Sequence, residues 1–600
     1  MSYNEPFDFY KNRIDELEHA LAKLNRKSTG IGWLRFLSVV ITGLGIYFTW
    51  HFDFWITTVV TITGIAFFLF VVSRDTDVRE EIDNTKTLLT INKKELNHLN
   101  DEYQNEYDGK ELEPLHHIYA EDLDLFGKSS LYQYMNRCYS EKGKALLAER
   151  LLQPLSKEDI LARQEAAKEL APKTQWRQQL QTFSYKQEIS LDTEKRVLNW
   201  LNKGEEHFAS PYWKTFLYFY TAVTLSSVAL YILNIMSLSA LLLLIVLFYL
   251  VSLYITKRIS PVYGLLSKIV SEINSLYRQL HWFEREKFHS KHLLRIQEKI
   301  KLHSSINASK EIKMLENILN RFDVRLNVFA FFFLNTFLLW DLWQLLALKK
   351  WKKQSKTIVP FWFWAIAEIE VINTIATLAF NHPNWCYTEI ADQHFTLSGK
   401  EIGHPLIPVK QRVNNTFNIE GTGKIGLITG SNMAGKSTFL RSVGINVILA
   451  YAGAPVCAEK FTVSVSKLMT SMRISDNLAE NTSTFYAELK KLKNIIEAVN
   501  AKEKIFILLD EILRGTNSLD RHTGSKALIK QLIKEHAVAV IATHDIELAE
   551  LEQEFPTAVS NYHFDVQVAD SELYFDYKLR DGICKSMNAS ILMKKIGIEL

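Results

Sequence analysis

The chain has 600 residues, with 70 Lys and Arg against 67 Asp and Glu, a net charge of +3 and four cysteines. That length accommodates several domains of roughly 100–200 residues each, and a charge this close to balance makes no electrostatic case for nucleic-acid binding, which shows as a strongly basic domain. The cysteines (Cys138, Cys386, Cys457, Cys584) include no pair at metal-ligand spacing, which fits a reducing compartment without disulfides.

Residues 1–30 are charged and helical in pattern. Residues 31–73 follow as two uncharged runs, Phe36–Trp50 and Phe54–Ser73, separated only by His51-Phe52-Asp53. About 20 apolar residues span a bilayer core, so the spacing predicts a transmembrane hairpin, with Trp33, Trp50 and Trp55 at the interfacial ends. Residues 74–118 form a charged helical linker, and 119–209 a polar, helix-rich block. Thr215–Thr256 again carries no charge. As one helix it would extend roughly 63 Å, so it must fold back, near Asn234–Ser237, into a second hairpin over 210–258. Lys23, Arg26, Lys27, Arg35, Arg74, Arg79, Lys214, Lys257 and Arg258 flank the two hairpins, and neither turn holds Lys or Arg. The positive-inside rule then places both termini and all large soluble parts in the cytoplasm.

Residues 259–395 are predicted as a second helical block. Its first part is highly charged, with Leu280, Phe283, Phe288 and Leu294 at helical spacing. Within it Val328–Leu348 is apolar but contains Asn335, Asp341 and Gln344. It reads as a core or membrane-touching helix, with a fifth span as the alternative, in which Asp341 would need a partner. From 396 to 600 apolar strands alternate with helices, as at Lys424–Thr429, Lys504–Leu509 and Ala537–Thr543. This pattern implies a mainly parallel α/β sheet.

Gly430-Ser431-Asn432-Met433-Ala434-Gly435-Lys436-Ser437-Thr438 follows one of these strands and opens a helix. This is a P-loop: its glycines let backbone N–H groups cradle phosphates at a helix N-terminus. Lys436 is expected to neutralise the β- and γ-phosphates of ATP, and Ser437 to place its hydroxyl on Mg²⁺. Ile505–Glu511 reads as a buried strand ending in two acids. Asp510 falls on the metal side, and Glu511 is placed to polarise the attacking water. A later strand ends at His544, the position of a γ-phosphate sensor in ABC-type ATPases.

Together these residues resemble the MutS family of mismatch-repair ATPases. The resemblance runs through the P-loop with Asn432-Met433, Thr470 to Glu488, Asp510-Glu511-Ile512-Leu513-Arg514-Gly515-Thr516, Thr543-His544, Asn561–Phe564 and Asp581-Gly582. It continues weakly upstream in His404-Pro405-Leu406 and in Gly143 to Leu170, like the family's helical core. It implies an ABC-type ATPase domain after an all-α lever and core domain, here interrupted by the hairpins. It also implies a homodimer in which Ser483 and Thr484 reach the partner's γ-phosphate. Arg412 falls where the family stacks an aromatic residue on adenine, and His563 is a second candidate for the base. Leu513 stands in place of a family glycine, as does Arg521 after Asp520. No Phe-x-Glu mismatch reader precedes residue 120.

The expected function is therefore a membrane-anchored ATPase, in the inner membrane if bacterial, coupling ATP turnover to lever and hairpin movement. The alternative is a membrane-tethered DNA-repair ATPase, with candidate contacts at Arg285, Lys287, Lys291, Arg295, Lys299 and Lys301. An ABC-type transporter fits less well, because no Leu-Ser-Gly-Gly-Gln signature lies between the P-loop and Asp510.

Overall fold

The computed structural model describes residues 5–50, 52, 54–203, 208, 212–301, 307–431, 434–473, 484–569 and 572–584. Helices α1 (Glu5–Thr49) and α2 (Phe54–Leu99) form one long antiparallel hairpin. A helix of this length extends roughly 68 Å, about twice a bilayer's hydrocarbon thickness. Its closed end turns large apolar side chains outward: Phe36, Ile41, Tyr47, Trp55, Ile62 and Leu69 are all more than half exposed. The helices approach closely there, and a Cβ at Gly64 would lie 2.3 Å from Thr42. At its open end Tyr10, Ile14, Val78, Ile82 and Ile91 are buried. Buried Asp75 marks the boundary, accepting from Arg35 (3.2 Å) and Arg79 (2.9 Å).

A helical block follows: α3 (Leu131–Met135), α4 (Glu141–Leu152), α5 (Lys157–Leu170), α6 (Thr174–Lys186) and α7 (Leu191–Asn202). Ser130, Ser140, Ser156 and Ser190 cap four of them, each hydroxyl accepting from an amide three residues on. Such a cap contributes about 1 kcal/mol. The second apolar hairpin is α8 (Tyr212–Ile232) and α9 (Leu238–Leu266), turning at 233–237. Its Phe219, Leu225, Leu243 and Leu250 are exposed.

Next come α10 (Val270–Arg285), α11 (Lys291–Lys299), α12 (Ala308–Asp323), α13 (Val328–Leu338), α14 (Trp340–Ser355) and α15 (Val359–Asn381). The helical period expected to run from Leu280 to Leu294 is interrupted. The chain leaves helix after Arg285 and restarts under a Ser290 cap. Phe288 returns onto Phe283 (ring centroids 5.0 Å apart), and Leu293, not Leu294, is buried. Val328–Leu348 is no single helix either. It bends by 76° at Leu339, whose backbone is left-handed. Asp341 is buried just past the bend, with Arg325 at 3.5 Å and Thr256 donating at 3.2 Å. α13 lies against the second hairpin: Tyr220 donates to Thr336 O (2.8 Å) and Thr224 to Phe337 O (2.6 Å).

By length and composition five described helices could cross a membrane, or six if the bent pair counts as one span. One of the five is α15, which the sequence reading placed inside the helical block. It is buried along most of its length and holds two charged side chains. Glu368 pairs with Arg163 of α5 and with His292 (3.0 Å), and Glu370 accepts from the Ser140 hydroxyl (2.5 Å). Its C-terminus meets the first hairpin. Tyr10 donates to Asn381 Oδ1 (2.8 Å), and Asn381 Nδ2 donates to Glu95 (2.9 Å). Glu95 receives Arg137 on both carboxylate oxygens (2.5 and 2.9 Å). Tyr134 hydrogen-bonds His382 (2.5 Å), which stacks on Trp385.

The last third is α/β. The strands are β1 (Cys386–Tyr387), β2 (Glu389–Ala391), β3 (Thr396–Ile402), β4 (Asn415–Glu420), β5 (Ile425–Thr429), β6 (Pro455–Val456), β7 (Lys460–Ser464), β8 (Lys467–Ser471), β9 (Ile505–Asp510), β10 (Val538–Thr543), β11 (Val559–Phe564), β12 (Gln567–Ala569), β13 (Glu572–Tyr574) and β14 (Leu579–Asp581). The main sheet has the order β14-β11-β5-β10-β9-β8 and is parallel except for β14. A second sheet, β2-β7-β3-β4, packs beside it. The principal helices are α16 (Lys436–Tyr451), α17 (Thr484–Asn500) and α18 (Ser518–Lys534). β5, β9 and β10 are buried throughout, which is why they read as continuous apolar runs.

Candidate nucleotide site

Parallel strands end on the same edge of a sheet, and loops at that edge build the site. β5 ends at Thr429 and feeds Gly430, whose φ is 146°; a Cβ there would meet Phe564 O at 2.9 Å. Gly435, at φ 104°, closes the loop and caps α16. Both conformations favour glycine. Ser431, Ala434, Gly435, Lys436, Ser437 and Thr438 follow in order around the bend, while Asn432 and Met433 lie outside the described residues. Lys436 is buried, and its Nζ donates to Gly430 O (2.7 Å) and Ser431 O (2.9 Å). Burial lowers its pKa, against the opposing pull of Glu511 and Asp510.

β9 pairs with β10 so that Asp510 lies opposite Ala542. The amide of Glu511 then bonds Ala542 O (2.8 Å), which brings Glu511 beside His544, 3.9 Å apart. Glu511 also pairs with Arg514 at 2.7 Å. The Ser437 hydroxyl lies close to the Asp510 carboxylate. Burial raises the Asp510 pKa, the nearby Ser437 hydroxyl opposing it. One Asp510 oxygen is buried with no hydrogen-bond partner among the described residues. An orphaned carboxylate oxygen beside a hydroxyl is the hard oxygen set that Mg²⁺ takes, so these residues fit that ion.

Lys436, Ser437, Glu511 and Arg514 line a cleft of about 730 Å³, within the usual range for a small-molecule site. Leu406, Ile407 and Pro408 form its apolar wall, and His404 also lines it. Burial, with Arg441 and Arg412 nearby, holds the His404 pKa down at about 4, so the ring is neutral at pH 7.

The structure separates the two residues singled out for the base. Arg412 lines another cleft, with His382, Trp385 and Glu401, while its neighbours Gln411 and Val413 face the P-loop. His563 is bonded to Gly582 O (3.1 Å) and does not line the cleft. Phe439, Phe564 and Tyr577 do line it, and the Tyr577 ring comes nearest the P-loop turn, a ring carbon lying 3.0 Å from where a Gly435 Cβ would stand. Asn415 of β4 positions it by bonding Tyr577 O (3.1 Å) and Leu579 N (2.8 Å). Its signal was the aromatic run Tyr574–Tyr577.

Ser483 lies outside the described residues, and α17 begins at Thr484. One turn on, buried Glu488 accepts from the amide of Leu513, and Phe485 packs where a Gly515 Cβ would stand. The first turn of α17 therefore grips the loop that follows Glu511. Leu513 sits at φ 58°, a conformation glycine adopts without cost. A second link comes from the helical block. Asp122, buried, accepts from Thr470 (2.6 Å), Arg473 N (3.1 Å) and Lys491 (3.0 Å).

A strand, a phosphate-cradling loop and two acids on the neighbouring strand end define a P-loop nucleoside-triphosphatase domain. Comparison with known proteins gives the branch. The profile of MutS domain V matches residues 426–596. The chain is 34% identical to the DNA mismatch repair protein MutS of Aquifex pyrophilus, over 39% of this chain and 27% of that protein. For the MutS proteins of Protochlamydia amoebophila and Thermotoga neapolitana the identities are 35% and 33%, over 36% and 42% of this chain and 26% and 30% of theirs. Residues 426–596 of this chain are thus similar to MutS domain V, the ATPase domain of that family. The match spans under a third of those relatives' length.

Proposed function

We propose that this chain is a membrane-anchored MutS-type ATPase. It binds and hydrolyses ATP at a site shared between two copies, and couples turnover through its helices to two membrane hairpins. The carrying observation is the buried polar path Tyr10–Asn381–Glu95–Arg137, which ties the open end of the first hairpin to the C-terminus of α15. From there the chain runs directly into the α/β domain.

In the proposed reaction, loop amides and Lys436 hold the β- and γ-phosphates. Ser437 and Asp510 would hold Mg²⁺, which when bound withdraws charge from the phosphate oxygens. Glu511 accepts a proton as water attacks the γ-phosphorus and the bond to the ADP oxygen breaks. His544 lies beside Glu511 to contact the γ-phosphate, and Thr484 with Ser483 completes the partner's site. Arg514 holds Glu511 in place, and Tyr577 with Ile407 brackets the base in the role first given to Arg412 and His563. Both hairpins expose many large apolar side chains, which supports a surface that meets lipid, and their flanking Lys and Arg favour a cytoplasmic α/β domain.

The Lys436→Ala variant, purified in detergent, is expected to lose ATP turnover by roughly 100-fold or more while still fractionating with membranes. Full turnover in that variant would sink the reading. A second reading, DNA binding near the bilayer, is favoured by the MutS relatives, which are named as mismatch repair proteins. Duplex affinity that falls steeply with salt, with a preference for mismatches, would establish it.

A further inference from the structure

Where α5, α11 and α15 meet, away from the P-loop, lies a cleft of about 220 Å³. We infer that it binds a phosphate-type oxyanion. Four cationic side chains line it: Arg150 at the end of α4, Arg163 of α5, and Arg295 and Lys299 of α11. Two carboxylates, Asp159 and Glu368, oppose them.

Arg163 is 3% exposed and gives one guanidinium nitrogen to Glu368. Its other terminal nitrogen is buried and has no hydrogen-bond partner among the described residues, and the same is true of Arg150 Nε. A buried donor left without a partner is costly, and two at one cleft point to an acceptor that enters it. Arg295 and Lys299 lie one turn apart on α11, so they share a face. Lys299 Nζ lies over the Trp364 ring, 4.6 Å from its centroid, a cation–π contact that holds the charge at the cleft.

Guanidinium forks from one wall and flexible cations from the other suit an acceptor with several oxygens and more than one charge, which is a phosphate. The volume is several times the ~30 Å³ share of one water and below the roughly 300 Å³ at which drug-sized sites begin. It therefore takes inorganic phosphate, pyrophosphate or a single phosphate group of a larger molecule. Glu368 meets Arg163 and His292 through Oε1 and so orients the guanidinium, while its Oε2 is buried with no hydrogen-bond partner among the described residues, an acceptor that a protonated phosphate oxygen would satisfy.

This inference does not rest on the proposed ATPase cycle, and its test silences the P-loop. Full-length protein carrying Lys436→Ala, in detergent, is titrated calorimetrically with phosphate and with pyrophosphate. Saturable binding is expected. Adding Arg295→Glu and Lys299→Glu should weaken it by at least about tenfold, while Arg295→Lys with Lys299→Arg retains it. Arg295 is exposed and Lys299 half-buried, and circular dichroism checks the fold; if the reversal pair misfolds, Arg295→Gln alone is read against the same expectation. Short duplex DNA that competes with pyrophosphate assigns the phosphate to a nucleic-acid backbone, and absence of competition assigns it to a free anion. Absence of saturable binding by any of these probes, or unchanged affinity in the reversal pair, overturns the inference.

Discussion

Helices α8 and α15 have 21 and 23 residues, and both are apolar enough to cross a membrane. Yet 22% of the most apolar stretch of α8 is buried within the protein, against 83% for α15. The difference lies in the few polar groups. Those of α8, such as Tyr220 and Thr224, bond backbone carbonyls of α13 next to it, and its outer face is dominated by apolar side chains such as Phe219, Val223 and Leu225. Those of α15 include two carboxylates, each met by a partner from far along the chain. Apolar composition makes a helix eligible for lipid or for a protein core; where its charges find partners decides between them.

The largest effect should come from Glu368→Ala. Removing one member of a buried pair leaves Arg163 uncompensated, a loss of roughly 3–5 kcal/mol, read as a lower denaturation midpoint. A loss under a third of that would break the comparison by making α15 an ordinary apolar helix. On the other side, Leu225→Lys places a charge at the centre of α8. Insertion should be disfavoured by about 2.5–3.5 kcal/mol, seen as release of the second hairpin to alkaline extraction. Unchanged extraction would mean that α8 does not face lipid.

The third prediction concerns acid. Burial, with Arg137 close by, holds His98 near a pKa of about 3, and burial with Arg412 and Arg137 does the same for His382. The unfolded chain binds protons below 6.5 that these rings refuse, so stability falls as pH drops from about 6.5 toward 3. Burial would raise Glu95, but the charge and hydrogen bonds of Arg137 outweigh it and hold the pKa at about 2. Its stabilisation is present above 4.5 and is lost between 4.5 and about 2. Melting temperature against pH should fall in two stages, and Glu95→Gln should remove the second. The smallest effect is Tyr10→Phe, which deletes one hydrogen bond to Asn381 and costs about 1 kcal/mol. Amide exchange should rise at the open end of the first hairpin and not in α8.

The nucleotide site was legible where chemistry is local. Nine consecutive residues specify the P-loop, and a run of apolar residues ending in Asp510-Glu511 specifies a buried strand. The parallel direction of β5, β9 and β10, though not their order in the sheet, followed from alternation with helices. What stayed hidden depends on contacts between distant residues. Nothing near Tyr577 in the sequence says that Asn415 will turn it onto Gly435. Arg412 could be placed by correspondence to within one residue, but which side of the backbone it leaves on is a matter of packing. The Leu280–Leu294 periodicity failed because Ser290 starts a new helix and resets the phase. The burial of α15 could not be read from its composition, because its partners Arg163, Ser140 and Tyr10 lie more than 200 residues away.

From Arg74 to Leu99, α2 contains neither proline nor glycine, the usual causes of a sharp kink. That stretch of 26 residues rises roughly 39 Å beyond the exposed apolar end. In the proposed membrane setting it is a rigid standoff. Two copies in one bilayer carry their clefts at the same height and with the same side facing the lipid. Their search for each other is then confined to a plane, which raises effective concentration without any added contact. A stiff post of fixed length thus serves as a jig for assembly as well as a lever.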